Sequence, residues 1–412
     1  MGRAYARRMT APNTRTYGTH FIIVFLFICL NLRLSVSAAD PILSTMMRDL
    51  GLHVGSSSLF ALLPIMALGV AAPLGARLVS WVRPRLLIAY ALCLAIAGIV
   101  WRSYGGSIGL FGGTAAIGLG LGITGSVILG VVKDLFPSRI PELMGAYTAC
   151  VCLGTSLGAA ASEPIMLAMG GWQRGLLFWV WPLLLALLLW AELIHRAHPF
   201  NQQQNTLQAS LRPLLRQSKA WWVSVFYLFR VAGAWVIIVW LSTLMQRRGL
   251  SPVEAGLVLG LATVCEIPAT LLSGHLTQWL GSKSRLLWVA IPLSIAAVFG
   301  LLMGPLHWWP LFSVVFGVCI GAVFTLGMTL IVENSEDSAT TVALSGMAQG
   351  MGFIIGGGLA WGASGVMDLP SPHIWMACIY SLFALGGLIS GLHSDSPERV
   401  SVAHPPQKKR SL

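Results

Sequence analysis

Charge is what this chain has least of. Only 10% of its 412 residues are Asp, Glu, Lys or Arg, against about 25% in an average soluble protein. Acidic residues are scarcest, 14 against 26 basic ones. So few ionised groups cannot cover a globule of this size, which excludes a soluble multi-domain protein. A hydrophobic content of 56% excludes disorder as well. The seven cysteines (Cys29, Cys93, Cys150, Cys152, Cys265, Cys319 and Cys378) all lie in apolar runs. They form neither a disulfide framework nor a metal spacing, and Cys150-x-Cys152 reads as bilayer-facing packing. The nine His show no paired ligand spacing, so no metal site is expected. No P-loop, nucleophile elbow or metalloprotease motif occurs. Gly120-Leu121-Gly122-Ile123-Thr124-Gly125 matches a dinucleotide fingerprint by letters, but it follows no strand and lies inside an apolar run. Neither an enzyme, a cofactor nor a nucleic-acid partner is expected.

Apolar runs are what is there instead. They fall at roughly 19–44, 57–80, 86–101, 107–132, 141–168, 174–195, 220–245, 253–280, 285–304, 308–332, 338–367 and 373–392. A bilayer core needs about 20 apolar residues per helix, so the pattern predicts an all-α polytopic protein with twelve transmembrane helices. Ser251-Pro252-Val253-Glu254 has the chemistry of a helix start, with a Ser cap, Pro at the first position and Glu at the third. Ser371-Pro372 repeats part of it. The first run, with basic residues before it and Ser37-Ala38-Ala39 after it, imitates a signal peptide. Arg33 interrupts that pattern, and cleavage would remove a span the count needs.

Orientation follows from Lys and Arg. With the N-terminus inside, nineteen of the 26 fall on the inner side and five (Arg48, Arg102, Arg174, Arg247 and Arg248) on the outer side. Arg33 and Arg230 fall within spans. Both termini are therefore expected in the cytoplasm.

The longest polar stretch, centred on Asn201-Gln202-Gln203-Gln204-Asn205, splits the spans six and six. The expected organisation is an N-terminal six-helix bundle at 1–195, a cytoplasmic linker at 196–219, and a C-terminal bundle with a short basic tail at 220–412. The halves echo each other near an offset of two hundred residues. Gly75-Ala76-Arg77-Leu78 up to Arg85-Leu86-Leu87 matches Gly274-His275-Leu276 up to Arg285-Leu286-Leu287, and Arg33 matches Arg230. A parallel six-plus-six repeat is the plan of major facilitator transporters, whose substrate site lies at midplane between the halves.

The residues also resemble one family within that superfamily, the cyanate permeases and 2-nitroimidazole transporters. The likeness is carried by Asn31-Leu32-Arg33, Leu62-Leu63-Pro64, Leu110-Phe111-Gly112-Gly113-Thr114-Ala115, Gly145-Ala146-Tyr147, Gly170-Gly171-Trp172, Trp240-Leu241 and Leu344-Ser345-Gly346-Met347-Ala348-Gln349-Gly350. It implies the major facilitator fold of two pseudo-symmetric six-helix bundles, a small-molecule substrate and no catalytic residues. Arg230, Asp40, Glu163 and Glu266 depart from the family pattern. So does the loop motif after the second span, Gly75 to Arg83, which lacks its acidic member.

A guanidinium within a span costs at least ~2.5–3.5 kcal/mol on insertion scales. Arg33 therefore needs an offset. One reading is an internal ion pair between helices; the other is a substrate-cavity cation, favoured because the resemblance places an Arg there. Arg230 sits at the related position of the seventh span, and planar guanidinium suits carboxylate-like or small oxyanion ligands. It has a structural alternative in Glu266, mid-span in the eighth. Glu266 and Glu163 are candidates for proton coupling, and Asp40 for an outer gate. Asn31, Gln349 and Trp235 complete the candidate substrate contacts. Interhelical hydrogen bonds are the alternative for the first two, and the resemblance favours contact for Gln349.

These readings point to a monomeric secondary transporter in a bacterial inner membrane, moving a small anionic or polar organic solute by rocking of its halves, with the carboxylates available for protons. Two rivals stand beside it. One is efflux of a neutral, nitroimidazole-like heterocycle, which requires the two arginines to be paired structurally. The other is a transporter-like receptor or sensor, which would need a soluble output domain.

Overall fold

The computed structural model describes residues 12–52, 55–196, 209–395 and 398–402. Arg3, Arg7, Arg8, the polar stretch Asn201 to Asn205 and the basic tail Lys408 to Arg410 lie outside the described residues. With no water in a bilayer to satisfy backbone groups, an apolar run must satisfy them within itself. The described chain is accordingly helical, and its only β-type contact is a bridge between Ser335 and Val400.

The first half contains α1 (Pro12–Ser37), a short α2 (Leu43–Asp49), α3 (Gly55–Leu78), α4 (Pro84–Tyr104), α5 (Gly106–Leu135), α6 (Ile140–Ala168), α7 (Trp172–Leu177) and α8 (Val180–Arg196). After a short α9 (Leu211–Leu214), the second half contains α10 (Ser218–Arg247), α11 (Pro252–Leu280), α12 (Lys283–Met303), α13 (Trp309–Glu333), α14 (Ser338–Met351), α15 (Gly357–Gly362) and α16 (Pro372–Ser394). Among the described residues eleven segments are long and apolar enough to cross a membrane. The second of the twelve expected spans is α3, whose apolar stretch Leu62–Leu78 is shorter than the rest.

Two spans are not single α-helices. The sixth breaks between α7 and α8. The eleventh runs through α14, a π-helical turn at Gly352–Gly356, α15 and a 3₁₀ turn at Ala363–Asp368. Its run of glycines lowers α-helical preference there. The expected capping box at Ser251 is present: its hydroxyl accepts from Glu254 N at 3.2 Å and its amide donates to Glu254 Oε2 at 2.9 Å. Ser371 differs. Its φ is 57° and its side chain caps nothing, because the preceding turn holds it in the left-handed region.

The two ends of the molecule are packed differently. We call the end carrying the 196–219 segment the linker end and the opposite one the distal end. The largest hydrophobic cluster spans both halves, joining Leu32, Val127 and Met144 to Val223, Leu330 and Val342. A second cluster, around Ile237, Leu301 and Phe316, belongs to the second half alone. A third, around Met46, Phe60 and Trp172, belongs to the first half alone. Close approaches between halves concentrate toward the linker end. A Cβ on Gly145 of α6 would stand 2.7 Å from Thr270 O of α11, and one on Gly130 of α5 would stand 2.5 Å from Val342 Cγ2 of α14. Lys133 Nζ donates to Val332 O across the halves at 3.0 Å. Toward the distal end Gly256 and Gly260 of α11 face open space and Glu163 of α6 is exposed. The halves are packed closely together at the linker end.

Candidate functional site

The two arginines within spans stand on α1 and α10, the first long helices of the two halves. Arg33 is the only residue between Asn31 and Ala39 that is not buried. Its Cζ lies 5.6 Å from the Trp235 ring centroid on α10 and 5.9 Å from that of Phe353 in the π-turn. Arg230, on α10, is also partly accessible. Its Cζ lies 3.3 Å from the Phe324 centroid and 6.0 Å from that of Tyr227.

Aromatic faces offset guanidinium charge by roughly 0.5–2 kcal/mol each. They do not accept the in-plane N–H donors. Among the described residues neither guanidinium donates to a protein acceptor or pairs with a carboxylate within 4.0 Å, and Arg230 Nε is buried without a partner. Two cations from different halves, electrostatic neighbours of each other, therefore keep donors free.

Glu266 on α11 is an electrostatic neighbour of Arg230 but forms no ion pair with it. Its electrostatic neighbours are Arg230 first and then the Cys152 thiol of α6, across the two halves. This corrects the reading of Cys152 as bilayer-facing: it is buried between the halves, where a small side chain lets α6 and α11 meet.

The remaining candidates separate. Trp235 joins the arginine cluster. Gln349 is 4% exposed and donates from Nε2 to Ser345 Oγ at 2.6 Å. Asn31 is 2% exposed and donates from Nδ2 to Phe27 O at 2.8 Å. Both of those bonds are local to their own helices. Glu163 stands exposed on the distal part of α6. Asp40 lies beyond the end of α1, where loss of hydration raises its carboxyl to about 6 against the opposing pull of Arg33 and Arg102.

Arg102, expected on the outer side, is buried in the last turn of α4, where it is 1% exposed. It donates from Nη2 to Ser35 O at 3.0 Å. Sequence reasoning also passed over Tyr227, Phe324 and Phe353. Tyr227 was findable, since it stands three residues before Arg230 and so on the same helix face. Phe324 and Phe353 carry no such signal, because apolar aromatics are common in every span.

The described helices, eleven of them apolar and long enough to cross a membrane, make this a polytopic membrane protein. Residues 24–357 match the Major Facilitator Superfamily, and the chain belongs to it. The 2-nitroimidazole transporter of Escherichia coli (strain K12) is 31% identical over 379 residues, covering 89% of this chain and 94% of that protein. The cyanate transport protein CynX of the same organism is 27% identical over 369 residues, covering 89% and 95%. Of solved structures, the proton:xylose symporter XylE superposes with a TM-score of 0.73 at 13% identity, covering 92% of this chain and 95% of that one. That last likeness speaks to fold alone.

Proposed function

We propose that the protein is a secondary active transporter of a small, planar organic or inorganic anion, working by alternating access in a bacterial inner membrane. The observation that carries the reading is the pair Arg33 and Arg230. They come from equivalent helices, are electrostatic neighbours, are walled by aromatic rings and have no carboxylate bound to either. Two guanidiniums repel each other when the site is empty, and an anion between them relieves that repulsion while taking their free donors. In this reading the halves 1–195 and 220–412 rock about the 196–219 linker, exchanging the distal opening for a linker-end opening. Glu266 serves as the proton site because it is an ionisable carboxyl at mid-span and is not locked to Arg230. Asp40 and Glu163 then belong to the distal rim, which closes in the alternate state.

The aromatic walls also favour a flat ligand. A relative at 31% identity is named for 2-nitroimidazole and another at 27% for cyanate. A compact planar anion, or a heterocycle that ionises, suits both the rings and the arginines. The test is uptake into proteoliposomes of radiolabelled cyanate, benzoate and 2-nitroimidazole, with and without an imposed pH gradient. Uptake of an anion that is lost in Arg230→Gln supports the reading. Uptake of neutral 2-nitroimidazole alone, undiminished in Arg230→Gln, sinks it.

A further inference from the structure

Tyr227, three residues before Arg230 on α10, is a buried polar side chain with nothing to bind. It is 0% exposed, and its hydroxyl has no hydrogen-bond partner. A buried hydroxyl without a partner is costly, and natural interiors seldom leave one so. Its position makes the vacancy informative. Among ionisable groups, Tyr227 is the strongest electrostatic neighbour of both Arg33 and Arg230.

The surrounding backbone is shaped to hold this ring. The eleventh span departs from α-geometry in the π-turn Gly352–Gly356 at this level, and such turns recur at functional sites. A Cβ on Gly352 would fall 2.6 Å from Tyr227 Cδ1, so only glycine leaves room for the ring. The next residue, Phe353, meets the Tyr227 ring edge-on at 6.1 Å and the Arg33 guanidinium on its other side. Tyr227, Phe353 and the two arginines thus form one packed unit contributed by three helices.

We propose that the Tyr227 hydroxyl is a third donor to the transported anion and sets specificity for planar anions with at least two acceptor atoms. This rests on the reading that an anion binds between Arg33 and Arg230. The two guanidiniums supply charge and in-plane donors, and the phenol adds a short-range donor that a ligand lacking a second acceptor cannot use. A site built to hydrogen-bond a ligand rejects analogues that leave its buried polar group unpaired.

The experiment measures equilibrium binding of radiolabelled cyanate and benzoate to the purified full-length protein, for wild type, Tyr227→Phe and Arg230→Gln. Removing an orphan hydroxyl leaves the fold intact, so Tyr227→Phe should melt at or above the wild-type temperature. Its affinity for the bound anion should fall about ten- to hundredfold, the loss expected for one hydrogen bond to a charged group. Gly352→Ala, which displaces the ring without touching the hydroxyl, should reproduce the loss. Anion binding that requires Arg230 but is equal in wild type and Tyr227→Phe overturns the assignment of Tyr227 and leaves the anion reading standing. Absence of anion binding in the wild type, or binding indifferent to Arg230→Gln, overturns both.

Discussion

The Arg33 guanidinium stands 5.6 Å from the centre of the Trp235 ring, and this contact joins the first long helix of one half of the chain to that of the other. A flat cation on a flat ring keeps its edge, with its donors, free. An ammonium in its place is a point charge with no such edge. Arg33→Lys should therefore insert and fold normally but bind anion about tenfold or more weakly. Wild-type affinity in a folded Arg33→Lys protein would reduce Arg33 to a structural cation.

Glu266 contacts Cys152 rather than pairing with Arg230. Glu266→Gln should therefore change stability by no more than about 1 kcal/mol, well below the ~3–5 kcal/mol expected when a buried pair is broken. It should retain exchange of substrate and lose accumulation driven by a pH gradient. Arg230→Gln added to it should not restore that accumulation. Full gradient-driven uptake by the double variant would mark the two charges as scaffold.

Closure at the linker end includes the Lys133–Val332 bond between halves. Lys133→Ala removes a charge-assisted bond present only when that end is shut. The population open at the linker end should rise about fivefold, as a shift of about 1 kcal/mol gives. Spin labels on the exposed positions Ser138 and Glu336 report it as a longer distance component. An unchanged distance distribution would show that the bond does not hold the end closed.

Asp40 has its carboxyl raised to about 6, against about 3.9 in an unfolded chain. Between those values the folded protein binds the proton more tightly. The contribution of Asp40 to stability is therefore greatest below about pH 4 and is lost as pH rises through about 6. Asp40→Asn should flatten this part of the melting-temperature profile in detergent. Parallel profiles for the two proteins would contradict the assignment.

The 196–219 segment is expected on the cytoplasmic face from the distribution of Lys and Arg. A cysteine placed at Gln203 in a cysteine-free background should react with an impermeant maleimide only after the cells are opened. Labelling in intact cells would reverse the orientation.

Fold and site were legible to different degrees. Run length and composition identify spans because lipid imposes one length and one hydrogen-bonding solution on each of them. Arg33 and Arg230 stood out for the same reason, since a charge in an apolar run is rare and expensive. The Arg230–Glu266 pair was inferred from equal depth, but depth along a helix leaves the angle around it open, and Cys152 occupies the face that Glu266 meets. Phe353, and the setting that Tyr227 shares with it, were hidden because an aromatic in a span reads as packing. Their roles depend on the π-turn, which no residue spacing announces. The partner of Arg102 was hidden because Ser35 O, which receives it, lies 67 residues away in the sequence.

The account turns on an anion lying between Arg33 and Arg230. Its most direct test is binding of radiolabelled cyanate and benzoate to purified wild-type, Arg33→Lys and Arg230→Lys proteins matched for melting temperature. The account predicts saturable binding of at least one of these anions to the wild type, weakened about tenfold or more in each variant although the net charge is unchanged. Equal affinity in all three proteins would contradict it.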